Sequence, residues 1–552
     1  MDVQTRRLTA DQTRRALWTL GVAVMLLIGL ILRLKGIHNP LLDHPGWRQG
    51  DEASIARNFA TLQYNILYPQ TNYDGPPPNY VELELQIVPF LAATLYKIFG
   101  VHEIFGRLIT IAFSLGTVAL LAFFGRWLFA SAAAGILAAL FYAIMPGSVY
   151  YGRTFTPDAA MVFFMTAALY AICRLVLDEE RWRARSVVWC TVLLAIALLA
   201  KPVAIVVFVP ILVLMIERIR SGRTFSVLPA TAIIVVPLLL YSLYDKAVAA
   251  HAEWHWTSGI FALHVLPSLQ ASLQNGAAFL LKTLRFRVML GELTRTMIGP
   301  GVTALAVLGL LLPPRVTRSR SLLWAWLAAG LAYVYVVVTV ERVDYYMFVL
   351  VPLAALAAAG FATRLISAVS QSALDRNLKY LAAALGLLAL AAIGYQNVQI
   401  VKPYYAYSKS VYRNAITLNK TLLPNVLVVV GHFDPSVLYY IGRYGWEEDP
   451  YVWIPRDEQS AIRKGSRYFI VIERKRFYRN IELCAWMQRF PVVNPHAEWL
   501  VYETDLKRIK PGTQKAWLEF RKAEHAHLAR QWLTARGLCT FKAAAAANPK
   551  QP

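Results

Sequence analysis

The sequence is poor in charged residues. Asp, Glu, Lys and Arg make up 16% of the 552 residues, against about 25% in ordinary globular domains. Hydrophobic residues make up 57%, and the mean hydropathy is +0.44. This balance argues against a string of soluble domains and predicts an α-helical polytopic membrane protein.

Motifs for metal, nucleotide or serine-type chemistry are also missing. No zinc-ligand spacing is present, and neither a Ser-His-Asp order nor a Gly-rich phosphate loop stands out. Among the four cysteines, Cys173 and Cys190 fall in apolar runs, where packing explains them. Whether Cys484 and Cys539 pair is left open, because two cysteines without a motif are a weak signal. No metal is expected.

Acidic residues are fewer than basic ones, 33 against 56, which gives a formal net charge of +23. Nucleic-acid-binding proteins show a similar excess. Here the arginines fall in short loops between apolar runs, where the positive-inside rule explains them. We therefore expect membrane lipids as partners and no nucleic acid. The apolar run Leu17 to Leu34 follows four arginines and has no cleavage site after it, which predicts an uncleaved signal anchor.

Apolar runs predict about eleven spans, each needing about 20 residues. The fifth and sixth runs are short and meet at Lys201-Pro202, where the proline imposes a break. Basic clusters occupy alternate loops, which predicts a cytoplasmic N-terminus and outer loops at 36–105 and 244–296 in the cytoplasmic (inner) membrane. The predicted spans are 17–35, 106–128, 132–150, 159–177, 187–200, 203–217, 226–243, 297–313, 322–340, 346–365 and 379–396.

Two domains are expected. Residues 1–397 form a transmembrane module whose outer loop 36–105 carries juxtamembrane helices, and residues 398–552 form a small α/β domain outside the membrane. The run 85–100 predicts an interfacial or re-entrant helix; a true span there would reverse everything after it. In the C-terminal domain, strands are predicted at 425–431, 467–474 and 499–504, and a helix after the Asp434-Pro435 cap.

The stretch HPGWRQGDEASIARNFA, residues 44–60, places many polar side chains beside the first span. Asp51 and Glu52 start a helical pattern, and capping alone would explain the pair. A cap, however, needs only one such residue. The polar and aromatic residues crowded around the pair are His44, Trp47, Arg48, Gln49 and Arg57. This crowding favours a functional site without excluding the cap.

Three further outer boundaries carry charge. Asp158 opens the fourth span beside Arg153, and Lys201 lies at the break between two spans. The tenth span begins with Glu341, Arg342, Asp344, Tyr345 and Tyr346. Helix dipoles, snorkelling and the aromatic belt are the ordinary explanations. Together, however, carboxylates and cations at one boundary suit an anionic lipid-linked substrate. Cations hold its phosphate, and a carboxylate accepts a proton.

Three of these segments resemble signatures of the GT-C membrane glycosyltransferases. They are HPGWRQGDEASIARNF at 44–59, YYGRTFTPDAAMVFF at 150–164 and DYYMFVLVPLAAL at 344–356. The similarity points to the bacterial branch of glycosyltransferase family 39, related to protein O-mannosyltransferases and the lipid A aminoarabinose transferase, and covers about residues 15–400. It implies hexosyl or pentosyl transfer from a polyprenyl-phosphate sugar to a lipid, glycan or protein acceptor on the outer membrane face.

The resemblance also implies roles for individual residues. Asp51 would be the base that deprotonates the acceptor hydroxyl, Glu52 completes the acidic pair, and Asp158 positions the acceptor. Lys201 resembles a lysine near the donor site, whereas Val343 stands where relatives often have histidine. From the charge pattern, and not from the resemblance, we expect phosphate or lipid contacts also from Arg48, Arg57 and Arg153. Substrate contacts are expected from His44, Trp47, Gln49, Tyr345 and Tyr346.

Three other functions stay open. One is a different GT-C enzyme, such as an oligosaccharide ligase, and another is a transporter or flippase of lipid-linked sugars. The third is a non-catalytic membrane assembly protein that binds through its outer domain. A transporter places its charges near the bilayer midplane, whereas these charges fall at span ends. The enzyme is therefore favoured, and the sequence leaves the sugar and the acceptor unspecified.

Overall fold

The computed structural model describes residues 3–494, 498–510 and 539. The chain divides into two compact units. The first consists of Met1–His38, Asn65–Leu67 and Glu82–Ala406, and the second of Asn39–Tyr64, Tyr68–Val81 and Tyr407–Pro552. This division differs from the boundary drawn at residue 397. Most of the first outer loop is grouped with the C-terminal α/β domain instead of the membrane helices.

The first unit is helical. In the described part of the chain, eight helical segments are long and apolar enough to cross a membrane. These are Gln12–Leu34, Ile104–Leu128, Asp158–Asp178, Pro202–Arg220, Val227–Ala249, Arg320–Glu341, Asp344–Gln371 and Arg376–Thr421. A ninth is counted if Gly276–Met297 and Pro300–Leu311, which are bent by 108°, form one span. The polytopic helical fold is confirmed.

The number of spans stays a prediction. Three of the eleven expected runs form shorter helices: Ala132–Ile144, Ala184–Ala200 and Pro300–Leu311. At 1.5 Å per residue, a 13-residue helix such as Ala132–Ile144 is about 20 Å long, less than the ~30 Å hydrocarbon core. The expected short helix of the first outer loop is present as Ile87–Phe99.

The break at Lys201 has the form that the proline predicts. The helix Ala184–Ala200 ends at Lys201, whose backbone is extended (φ −167°, ψ 128°). A 3₁₀ turn, Pro202–Val207, then leads into the helix Phe208–Arg220. The remaining helical segments of this unit are Pro146–Tyr151, Thr257–Gly259, Ile260–Val265, Leu266–Gln274, Gly276–Glu292, Leu293–Met297, Arg320–Tyr333, Val334–Val338, Thr339–Glu341, Asp344–Leu350, Val351–Gln371, Arg376–Val401 and Lys402–Tyr405.

The second unit contains a four-stranded sheet. Leu427–Gly431 lies between the parallel strands Tyr444–Glu447 and Ser466–Val471, and Leu500–Glu503 pairs antiparallel with the latter. Three of these strands were predicted. The strand Tyr444–Glu447 was not predicted. It follows the helix Pro435–Ile441, whose C-cap residue, Gly442, has a φ of +68° that favours glycine.

The helices and core of this unit complete the α/β fold. Asp434 caps its helix as predicted, accepting a hydrogen bond from the Ser436 amide. The core contains Trp446, Phe469 and Trp486, and Cys484 forms a disulfide with Cys539, which answers the question that the sequence left open. The helices are Gly46–Thr61, Lys409–Thr421, Pro435–Ile441, Pro455–Arg463, Arg474–Arg479 and Ile481–Met487, with a 3₁₀ turn at Leu506–Arg508.

The first-loop helix Gly46–Thr61 packs closely on the helix Pro435–Ile441. A Cβ at Gly50 would lie 2.5 Å from the backbone nitrogen of Ser436, so only glycine allows this approach. The Arg57 guanidinium lies 4.3 Å from the Tyr439 ring centre. The helix bearing the predicted acidic pair is thus built into the α/β domain.

Candidate functional site

Asp51 does not cap its helix. The helix begins at Gly46, its N-cap residue is Pro45, and Asp51 is the sixth helical residue. The orphan N–H groups that a capping carboxylate serves belong to the first turn. The capping interpretation was therefore wrong, and the Asp51 carboxylate needs another explanation.

The Asp51 carboxylate is buried and has two polar neighbours. Asp51 is 3% exposed. The Tyr73 hydroxyl donates a hydrogen bond to Oδ1 over 2.9 Å, and Arg48 Nη1 lies 3.9 Å from Oδ2. Burial raises the pKa of Asp51 to about 7, although Arg48 and the Tyr73 hydrogen bond oppose the rise. A carboxyl group with this pKa can accept a proton near neutral pH.

Further acidic groups lie around Asp51 in the same unit. Asp434 and Asp74 both act to raise the Asp51 pKa. Burial raises the pKa of Glu447 well above its usual range, and the charge of Asp51 adds to this rise. Sequence reasoning missed Tyr73, Asp74 and Glu447, because they come from a Pro/Gly/Asn loop and an unpredicted strand with no motif to mark them.

Glu52 and Arg48 form a buried ion pair. Arg48 Nη2 lies 2.9 Å from Glu52 Oε1, and the two side chains are 9% and 0% exposed. The residues are four apart on one helix, which places them on the same face. Arg48 therefore neutralises the acidic pair, and this contact accounts for its burial without a lipid phosphate.

Two of the other residues of this stretch bind the protein itself, and two are at least partly exposed. Gln49 is fully buried and donates to the backbone oxygen and to Oδ1 of Asp43. Arg57 donates to the Tyr439 backbone oxygen over 3.3 Å. His44 is exposed, and Trp47 is half-buried. Gln49 and Arg57 thus have protein partners that hold the helix in place.

A second polar cluster lies in the membrane unit. Asp158 is the first residue of the helix Asp158–Asp178, and Lys201 Nζ lies 2.5 Å from its Oδ1. The ammonium also lies 4.8 Å and 4.7 Å from the ring centres of Tyr345 and Tyr346. Four residues that the sequence singled out separately are therefore in contact, because the break at Lys201 turns its side chain towards the start of the neighbouring helix.

This second cluster holds unsatisfied polar atoms. Among the described residues, no hydrogen-bond partner is found for the buried Oδ2 of Asp158 or for the buried Tyr333 hydroxyl. Tyr333 interacts electrostatically with Asp158 and Tyr346. Leaving a buried polar atom unpaired costs about 1–3 kcal/mol, so these atoms are suited to bind a polar ligand.

Arg153 is a buried structural cation. It donates to the Gly36 backbone oxygen over 2.9 Å and lies 4.9 Å and 4.7 Å from the ring centres of Tyr150 and Tyr405. These contacts account for its burial without a phosphate. Asp344, at the start of the tenth predicted span, accepts hydrogen bonds from Tyr151 and Tyr404.

The two clusters belong to different units: Asp51, Glu52 and Arg48 to the second, and Asp158, Lys201, Tyr345 and Tyr346 to the first. Within the residues that the structure describes, no group of three or more His, Cys, Asp or Glu side chains is arranged to hold a metal ion.

Solved structures of other membrane proteins share the fold of this chain. ArnT from Cupriavidus metallidurans bound to undecaprenyl phosphate has a TM-score of 0.57 at 13% identity, covering 89% of this chain and 99% of that one. Its apo form gives 0.55 at 15% identity, with the same coverage. The oligosaccharyltransferase AglB from Archaeoglobus fulgidus, in complex with an inhibitory peptide and a dolichol-phosphate, gives 0.57 at 11% identity, covering 90% and 75%.

The chain therefore has the GT-C fold of membrane glycosyltransferases, as its motifs predicted. Residues 86–244 also match the family model described as dolichyl-phosphate-mannose-protein mannosyltransferase. No curated protein matches the chain. The expected resemblance to a family 39-type protein is confirmed.

Proposed function

We propose that this protein is a membrane glycosyltransferase that moves a sugar from a polyprenyl-phosphate donor to a hydroxyl group of a lipid, glycan or protein. The observation that carries the proposal is the buried Asp51 carboxyl group, whose pKa of about 7 suits a general base, in a chain of GT-C fold. Two neighbours of this fold are described with undecaprenyl phosphate and dolichol-phosphate bound, which supports a polyprenyl-phosphate donor.

The reaction follows from the chemistry of this donor. The acceptor oxygen forms a bond to the anomeric carbon, the bond between that carbon and the phosphate oxygen breaks, and the electron pair leaves with the lipid phosphate. The acceptor proton passes to Asp51. A phosphate is already a good leaving group, so no acid is needed. Cations must stabilise the charge that develops on it.

The second cluster supplies a cation and an acceptor atom. One of the three N–H groups of the Lys201 ammonium donates a hydrogen bond to Asp158. We assign the remaining donors to the donor phosphate and the unpaired Asp158 Oδ2 to a substrate hydroxyl. Lys201 thus keeps the donor-site role that the resemblance implies, because the unpaired Asp158 Oδ2 lies beside it. His44, Trp47, Tyr345 and Tyr346 remain the proposed substrate contacts.

The proposed location is the cytoplasmic membrane, with the N-terminus inside and the α/β domain outside. The positive-inside pattern supports this orientation. No metal or other cofactor is part of the mechanism.

The test is the Asp51→Asn variant. Membranes are incubated with a radiolabelled polyprenyl-phosphate sugar, and both labelled acceptor and released lipid phosphate are measured. Loss of the base should lower transfer by about 10²–10⁴-fold. The matched control is Asp505→Asn, which changes a carboxylate of the same unit that pairs with Arg467. Unchanged turnover in Asp51→Asn would remove Asp51 as the base.

An oligosaccharide ligase is the second candidate, supported by the fold shared with AglB. Donors carrying one sugar and donors carrying an oligosaccharide distinguish the two enzymes in the same assay. Uptake of the lipid-linked sugar into vesicles without release of lipid phosphate would instead indicate a flippase.

A further inference from the structure

A cavity lies at the ends of several membrane helices, and Asp158 lies at the opposite end of one of them, the helix Asp158–Asp178. Its volume is about 340 Å³. It forms where the helices Asp158–Asp178 and Phe208–Arg220 end, beside the segment that precedes Arg320. Its walls include Val176, Leu177, Arg218, Ser221, Arg223 and Arg318. The charge pattern predicts that these helix ends face the cytoplasm.

One of the three arginines builds the wall. Arg218 is 1% exposed and donates to four backbone carbonyl groups, those of Val176, Glu179, Glu180 and Thr224. These bonds satisfy carbonyl groups that the end of the helix Asp158–Asp178 leaves without partners. Arg218 thus fixes the cavity shape, and its four described bonds leave one of its five N–H donors unused.

The other two arginines keep free donors. Among the described residues, Arg223 donates only through Nη1, to the Leu177 backbone oxygen. Arg318 donates through Nε to Trp127 and through Nη1 to Asp178, and its side chain is 43% exposed. A guanidinium group carries five N–H donors, so the described contacts leave several N–H groups of both side chains unused.

The walls carry an excess of positive charge. Among the described residues, the walls hold three arginines and one acidic residue, Glu217, which accepts hydrogen bonds from Ser319 and Ser321. Asp178, beside the cavity, pairs with Arg318. A guanidinium group with unused N–H donors can form two parallel hydrogen bonds to one phosphate, which makes arginine a preferred phosphate ligand in proteins. The unused donors and the charge therefore favour a phosphate group as the ligand.

The surroundings favour a lipid over a soluble phosphate. Ile219, Val227 and Leu228, on either side of the arginine-bearing turn, are 53%, 69% and 81% exposed. On a chain that crosses a bilayer, such side chains contact acyl chains. Basic pockets between membrane helices on the cytoplasmic side bind anionic lipid headgroups. We propose that this cavity binds the phosphate headgroup of an anionic membrane phospholipid through Arg223 and Arg318.

The test measures lipid binding by the purified full-length protein in detergent, by native mass spectrometry and thermal shift. The probes are phosphatidylglycerol, phosphatidylcholine with the same acyl chains, and glycerol phosphate. We expect saturable binding of phosphatidylglycerol alone. Equal binding of glycerol phosphate would assign the cavity to a soluble phosphate compound and overturn the proposal, as would equal binding of phosphatidylcholine.

Two variants locate the site. Arg223→Gln should weaken phosphatidylglycerol binding about tenfold, the loss of one charge-assisted hydrogen bond. Arg185→Gln, an exposed arginine outside the cavity, should leave binding unchanged. Equal weakening in both variants would show diffuse surface charge instead of a site. Arg223→Gln could also lower the unfolding temperature of the lipid-free protein. In that case Arg223→Lys is measured, which keeps the positive charge but loses the paired N–H donors of the guanidinium group. It should still weaken binding, and full binding by Arg223→Lys would overturn the proposal.

Discussion

The Tyr73 hydroxyl donates a hydrogen bond of 2.9 Å to Oδ1 of the buried Asp51 carboxyl group. This bond favours the ionised form of Asp51, because a hydroxyl donor pairs best with a carboxylate. It thus opposes the rise in pKa that burial causes. Tyr73 is a positioning residue: it acts on the proposed reaction only through Asp51.

Removing this hydrogen bond should shift the pH profile. Tyr73→Phe should raise the Asp51 pKa from about 7 by about one unit, since a hydrogen bond to a charged group contributes about 1.5 kcal/mol. Transfer should fall at pH 6–7 and recover at pH 9. The measurement is the transfer rate against pH. A rate lowered equally at every pH would mean that Tyr73 only supports the fold.

The raised Asp51 pKa also makes stability depend on pH. The folded protein holds a proton between pH 3.8 and about 7 that the unfolded chain releases, so Asp51 makes stability fall as the pH rises through this window. Asp51→Asn should therefore unfold at a higher temperature than the wild type at pH 8, with the gap closing towards pH 4. Asp505→Asn, which removes a carboxylate that pairs with Arg467, should not raise the unfolding temperature at pH 8. A difference in unfolding temperature that does not change with pH would contradict a raised Asp51 pKa.

The ion pair between Asp158 and Lys201 should be coupled in stability. Lys201→Met leaves a buried carboxylate without its cation, which costs about 3–5 kcal/mol. Adding Asp158→Asn should restore most of the lost thermal stability, while transfer stays low in both variants. Thermal unfolding of the two single variants and the double variant forms the cycle. Purely additive losses would show that the pair is not coupled.

The close approach at Gly50 should not tolerate a side chain. Gly50→Ala puts a Cβ 2.5 Å from the Ser436 backbone nitrogen, and overpacking of this kind costs about 1–3 kcal/mol. The matched control is Gly291→Ala, where nothing lies within 4 Å of the added carbon. Thermal unfolding should separate the two variants. Equal midpoints would mean that the two helices separate at little cost.

Several features could be predicted because they depend on neighbouring residues alone. Long apolar runs predict membrane helices, and the proline after Lys201 predicts the break that the structure shows. Asp434 followed by proline predicts a helix start, and the Asp434 side chain caps that helix. Shorter runs such as Ala132–Ile144 were overestimated, because hydrophobicity alone does not fix where a helix ends.

The membrane class, the GT-C resemblance and the residue types available for chemistry could thus be predicted from the order of the amino acids. How those residues are used depends on the tertiary fold. Burial raises the pKa of Asp51, Arg48 and the Tyr73 hydrogen bond oppose the rise, and Asp434, from a distant part of the chain, adds to it. Arg153 is buried by rings from distant segments. Desolvation and charge act through space, so a reading of adjacent residues cannot supply them.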